Sequence, residues 1–154
     1  MSLEQEVELI RRFPIFSKIQ PAMQKLLCFT AERLTYDAGQ VLFNAGDAGD
    51  AAYIVIEGEI EISVPTPAGP IVVNTLGRNE LIGEIAIFGE VPRTATAKAL
   101  TRVETLKISK ELFIKVIREN PDAAIELIKI LAGRLANTTS QLTQTRSGGA
   151  STRR

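Results

Sequence analysis

The sequence predicts an α+β fold that is mostly β: an antiparallel β structure flanked by N-terminal helices and by a long C-terminal helix. Three observations carry this. Between residues 32 and 109 the chain breaks into short β-prone segments punctuated by glycine and proline, the texture of a closed or sandwich-like β structure. Within that region Glu59-Ile60-Glu61-Ile62-Ser63-Val64 alternates strictly, as a half-buried antiparallel strand does. On either side, the apolar residues recur at helical spacing. A jelly roll (double-stranded β-helix) fits the arrangement.

Residues 1–30 form an N-terminal helical segment. Residues 2–12 read as an amphipathic helix in which Ser2 and Gln5 compose a capping box, with Leu3, Val7 and Ile10 on one face. Phe13, Ile15 and Phe16 around Pro14 make a hydrophobic knot, and Gln20 or Pro21 starts a second helix through Leu27 and Phe29. Cys28, the single cysteine, reads as a small buried hydrophobe rather than a reactive thiol.

Residues 31–109 form the β unit, with strands expected at 32–36, 40–43, 52–57, 59–64, 71–76, 94–100 and 103–109. Pro65-Thr66-Pro67-Ala68-Gly69-Pro70 forbids regular pairing and marks a hairpin tip. Residues 110–143 hold two helices: Lys110 to Glu119, capped by Ser109 with Leu112 and Phe113 inward, and a long one opened by Pro121 and Asp122. Asn120, before proline, falls between them. Ala124, Ile128, Leu131, Leu135, Thr138 and Leu142 make a heptad-like stripe. It suits either packing on the β structure or self-pairing into a homodimer. Residues 144–154, with Gly148-Gly149 and Arg146, Arg153 and Arg154, are expected to be a disordered tail.

The segment richest in chemistry is Gly83-Glu84-Ile85-Ala86-Ile87-Phe88-Gly89-Glu90-Val91-Pro92-Arg93-Thr94-Ala95-Thr96-Ala97. It sets a carboxylate at the start of a very short helix and an arginine nine residues later, before a strand. Backbone N–H groups at a helix start and an arginine fork both favour an anion. The carboxylate would repel that anion, and suits sugar hydroxyls instead. A plainer alternative stands beside this: Glu84 complements the helix dipole, and Arg93 is its structural partner or a surface charge.

The segment resembles the phosphate-binding cassette of cyclic nucleotide-binding domains, whose pattern reads Gly-Glu-hydrophobic-Ala, several residues, then Pro-Arg-small-Ala. Upstream, Gly39-Gln40-Val41-Leu42-Phe43 and the run from Gly46 to Gly58 look like the family's early strands and glycine turns. Downstream, Pro121 to Leu142, including Leu131-Ala132-Gly133-Arg134-Leu135, is similar to its long C-terminal helix. The resemblance implies a jelly roll with its cassette at 83–95, and a cyclic nucleotide between the β-roll and the helix starting at Glu84. Glu84 would bind the ribose 2′-hydroxyl and Arg93 the equatorial phosphate oxygen. Backbone amides near Gly83, Ile85, Ala86 and Ala95 would complete the cradle. Thr94 stands where a hydroxyl can reach a syn guanine, or is a threonine suited to a strand. Leu131 and Arg134 are candidates for capping the base, and Thr138 and Thr139 stand at a register where bacterial members contact adenine across a dimer. The bacterial flavour of the chain favours cAMP over cGMP as ligand.

Composition narrows the function further. Lys+Arg and Asp+Glu are both 18, for zero formal net charge, which argues against strongly electrostatic binding to DNA or a membrane surface. No apolar run approaches the ~20 residues of a membrane span, and Glu4, Glu6 and Glu8 stand where a signal peptide would be apolar. There is no histidine, so the commonest general base and metal ligand is missing. The expectation is a cytoplasmic, non-enzymatic signal-transduction module without metal or cofactor. It would be gated by its ligand through the C-terminal helix and act on an effector protein. It would not bind DNA directly, since 12 residues or fewer past that helix cannot hold a helix-turn-helix. The alternatives are a regulatory fragment of a larger channel, kinase or transcription regulator, and a ligand-free dimerising scaffold.

Overall fold

The fold, a computed structural model, is described for backbone residues 2–152 and side chains 2–137. Helices α1 (Leu3–Arg11), α2 (Pro14–Ser17) and α3 (Pro21–Thr30) precede strands β1 (Glu32–Tyr36), β2 (Val41–Phe43), β3 (Ala51–Glu57), β4 (Ile60–Val64), β5 (Ile71–Leu76) and β6 (Leu81–Ile82). The short helix α4 (Glu84–Phe88) follows, then β7 (Thr96–Ala99), β8 (Val103–Ser109), α5 (Lys110–Glu119) and α6 (Pro121–Thr152). All pairings are antiparallel, in two four-stranded sheets ordered β1-β8-β3-β6 and β2-β7-β4-β5. Apart from the β4–β5 hairpin, successive strands alternate between sheets, which is the expected jelly roll.

Strand β3 has no polar alternation because both of its faces are covered. Ala52, Ile54 and Ile56 meet Leu106 and Ile108 of β8 together with Phe13, Phe16, Leu27, Phe113, Val116 and Leu127 from the helices. Ala51, Tyr53 and Val55 face the second sheet and pack with Ile60, Leu76, Ala97 and Val103. One core thus glues helices to a sheet, and the other fills the space between sheets.

Local chemistry sets the helix ends. The capping box forms: Gln5 N–H donates to Ser2 Oγ at 3.3 Å and Ser2 N–H donates to Gln5 Oε1 at 3.0 Å. Ile10 is buried, but Leu3 at the other end of that face is exposed. The hydrophobic knot is the single turn α2, with Pro14 in its first turn and the Phe13 and Phe16 rings edge to face. Asn120 is extended, as a residue before proline must be. Its side chain ties α5 to the start of α3, donating to Val116 O at 2.8 Å and accepting from Gln20 N–H at 3.3 Å.

Four features depart from the sequence reading. Strand β6 was not expected; it is two residues long, pairs only with Tyr53 and Ile54, and is too short to show a period. Strand β7 starts at Thr96, not 94, because the backbone at Arg93 is bonded to the turn before β3: Arg93 N–H donates to Asp47 O and Gly46 N–H donates to Arg93 O, both at 2.8 Å. On α6 the stripe that packs inward is Ala123, Leu127, Ile130 and Leu131, one position off the expected one except at Leu131. Ile128 and Leu135 of the expected stripe are 63% and 69% exposed, and Ile125 beside them is exposed too. Packing on the β-roll therefore does not account for Ile125 and Ile128, whereas Leu135 lines the cavity described below. Helix α6 is continuous in backbone to Thr152, past residue 143 where the sequence reading ends it.

Candidate functional site

A cavity of about 360 Å³ opens between the second sheet, the 83–95 loop and α6, within the range of small-ligand sites. One wall is apolar, with Ile62, Val73, Leu76 and Ile82; the opposite wall is Leu131, Arg134 and Leu135 of α6. The polar end is built from Gly83, Glu84, Arg93 and the small residues Ala86 and Ala95.

Backbone geometry makes that end. Gly83 takes φ +93° as the N-cap of α4, a conformation glycine adopts without strain. A Cβ there would lie 2.4 Å from Arg93 Nη1 and 3.1 Å from Ala51 O. Ala86 is pressed against Gly49, where an added Cβ would come within 2.2 Å of the Ala86 methyl. The loop before β3 and the cassette therefore close on each other only because both sides are small.

Two opposite charges are buried here. Arg93 is 4% exposed. Its Nη1 donates to Gly83 O at 3.0 Å and its Nη2 to Ala51 O at 2.6 Å. The guanidinium carbon lies 4.2 Å from the Phe43 ring centroid and 5.9 Å from that of Tyr53. The nearest carboxylate is the exposed Asp50, 4.0 Å away. Nε is buried and has no hydrogen-bond partner among the described residues. Burial pulls the Arg93 pKa below the ordinary arginine value, against the opposing pull of Tyr53, Asp50, Asp47 and Glu84. Burial also raises the Tyr53 phenol, while the Arg93 charge works to lower it.

Glu84, 2% exposed, is satisfied from the other side of the cavity. Arg134 of α6 donates from Nη1 to its Oε1 at 2.6 Å and from Nη2 to Leu81 O. Arg134, expected over a base, thus lies against the carboxylate and bridges α6 to the cassette.

The structure brings Gly83, Glu84, Ile85, Ala86, Arg93, Thr94, Ala95, Leu131 and Arg134 to one cavity. Thr94 lines it from the loop before β7, outside the strand. Thr138 and Thr139 lie outside the described residues. Phe43, Tyr53 and Asn74 escaped sequence reasoning. Asn74, which lines the cavity from β5 and whose Oδ1 accepts from Thr75 N–H at 2.8 Å, interrupts the run Ile71-Val72-Val73; that polar break was the available signal. Nothing local marked Phe43. No group of three or more metal-ligating side chains occurs among the described residues, and no helix there is long and apolar enough to cross a membrane.

Comparison with known proteins decides the family. The profile of the Cyclic nucleotide-binding domain matches residues 33–120, more than half the chain. The chain belongs to the cyclic nucleotide-binding domain family. It is similar to a CRP-like cAMP-activated global transcriptional regulator of Mycobacterium tuberculosis, 28% identical over 136 residues that cover 88% of this chain and 61% of that protein. The solved catabolite activator protein of Thermus thermophilus superposes with TM-score 0.72 at 30% identity, over 86% of this chain and 63% of that one. A lysophospholipase of Neosartorya fischeri is 31% identical over 143 residues, 87% of this chain but 9% of the enzyme. The cyclic nucleotide-binding domain therefore spans under two thirds of these relatives, which include both a regulator and an enzyme.

Proposed function

We propose that this domain is a regulatory module that binds a cyclic nucleotide in the cavity between the second sheet and α6, cAMP in preference to cGMP. The carrying observation is Arg93: a buried cation facing the cavity, held by two carbonyls and a ring, with its Nε–H unmatched. A buried donor of this kind calls for an acceptor, and a cyclic phosphate supplies charged ones beside the amides of α4 and Ala95. Glu84 would accept from the ribose 2′-hydroxyl, and the apolar wall with Leu131 would hold the base. The preference for cAMP rests on the similarity to the mycobacterial regulator, which is cAMP-activated.

The ion pair between Glu84 and Arg134 supports a switch. A hydroxyl binding at Glu84 competes for the same carboxylate, so ligand occupancy and the position of α6 are linked through a differential interaction, as a ligand-driven change requires. The exposed Ile125 and Ile128 of the same helix support self-pairing of two copies. The module itself is read as non-catalytic and cytoplasmic, acting on an effector.

Calorimetric titration with cAMP and with cGMP tests the reading. Wild type should bind cAMP more tightly, and Arg93→Ala should lose on the order of 2–5 kcal/mol, the usual cost of leaving a buried charge partner unpaired. Absence of heat with either nucleotide would end it.

A further inference from the structure

We infer that Phe43 is a positioning residue for Arg93, its ring fixing the plane of the guanidinium and carrying its charge without neutralising it; this rests on the binding reading above. The guanidinium is planar and can swing as a unit about the Cδ–Nε bond, so two carbonyl acceptors alone leave its tilt soft. At 4.2 Å from the ring centroid, the Phe43 face fixes that tilt, and Tyr53 stands behind at 5.9 Å. The two rings are themselves in contact, 5.8 Å apart with 35° between planes, so the platform is rigid.

The kind of support matters as much as the geometry. A buried arginine is usually held by a carboxylate, which cancels its charge. Here the groups in direct contact are two carbonyl dipoles and an aromatic face, and the nearest carboxylate is exposed and 4.0 Å off. Dipoles and a ring quadrupole stabilise the cation while leaving its full charge for an anion. Phe43 also lines the cavity, so the same ring shields one face of the guanidinium from water at the point where an anion would arrive.

The test is calorimetry on the whole chain with two probes: cAMP, and the cAMP phosphorothioate carrying sulfur in place of the equatorial phosphate oxygen. Four proteins are compared: wild type, Phe43→Met, Phe43→Tyr, and a form with trifluorinated phenylalanine at 43, which keeps the bulk but drains the ring face. Phe43→Met should weaken cAMP binding about tenfold, the scale of a desolvated cation–π contact, and narrow the preference for oxygen over sulfur. The fluorinated protein should move the same way with unchanged folding, and Phe43→Tyr should keep both affinity and preference. A cavity wall with no hold on Arg93 would weaken both probes equally. Equal losses for oxygen and sulfur, or wild-type affinity in both Phe43→Met and the fluorinated protein, would overturn the inference while nucleotide binding stands. Silence of wild type toward cAMP and cGMP alike would overturn the underlying reading and this inference with it.

Discussion

Removing Arg134 strips a buried carboxylate of its partner, and the size of the effect follows from the geometry. Glu84 is 2% exposed and accepts from Arg134 at 2.6 Å. Breaking a buried ion pair from one side costs roughly 3–5 kcal/mol. Arg134 is partly exposed and its loss opens the cavity to water at Glu84, and Glu84 begins α4, where the dipole favours a negative charge. The expected cost of Arg134→Ala is therefore nearer ~2 kcal/mol, or about 4–8 °C in Tm for a domain of this size. Glu84→Gln removes the charge, so Arg134→Ala in that background should cost under ~1 kcal/mol. Urea unfolding of the four proteins gives the coupling directly. A coupling below about 0.5 kcal/mol, within the additivity of independent sites, would refute the reasoning and mean that α4 alone satisfies Glu84.

Gly83→Ala forces a Cβ to 2.4 Å from Arg93 Nη1 at φ +93°. It should cost about 1–3 kcal/mol in stability and weaken cAMP binding at least tenfold by calorimetry; wild-type affinity would contradict the Arg93 geometry. Stability should also fall in alkali. Cys28, Tyr36 and Tyr53 have pKa values raised above 9.0, 10.0 and 10.0, in each case first by burial. The folded state thus holds these protons more tightly than the unfolded chain. Their contribution is complete below about pH 9 and is lost as pH rises through the folded values, so the urea midpoint should drop as pH rises above about 9. A level midpoint over that range would contradict it. Ile128→Asp lies on the exposed side of α6; it should change monomer stability by less than about 0.5 kcal/mol and abolish self-association in analytical ultracentrifugation. Wild type that sediments as a monomer at high concentration would sink self-pairing.

What the sequence disclosed was local. The cassette is legible because Gly83, Glu84 and Arg93 sit within one short segment, and their residue types announce a helix start and an anion fork. The period of β4 is legible because one of its faces is wet, and the β3 run is legible because both of its faces are dry. Contacts made by topology were hidden. Phe43 reaches Arg93 because β2 pairs with β7, and Arg134 reaches Glu84 from 50 residues away. The register of α6 was misread for the same reason: Ala123 and Ala124, or Leu127 and Ile128, are equally good apolar choices, and only the surface offered by α2 and α5 selects between them.

The two buried charges are solved in opposite ways, and that difference divides the labour of the proposed site. Arg93 is held by groups of the β-roll and the cassette, all fixed before any ligand arrives, with its Nε–H still unmatched, so it contributes affinity with little rearrangement. Glu84 is satisfied by a residue of α6, so anything that binds Glu84 alters a contact between the roll and that helix. A ligand touching only Arg93, such as inorganic phosphate, would bind without moving α6. A ligand touching both would bind less tightly than its contacts imply, because part of its free energy goes into displacing Arg134, and that part is the coupling. Arg134→Ala should then sever the response of α6 from occupancy while binding persists. Arg93→Ala should weaken binding yet leave the response per bound ligand intact. Fluorescence from a label on α6, followed against calorimetric occupancy, separates the two; equal loss of both quantities in both variants would show that the division is not real.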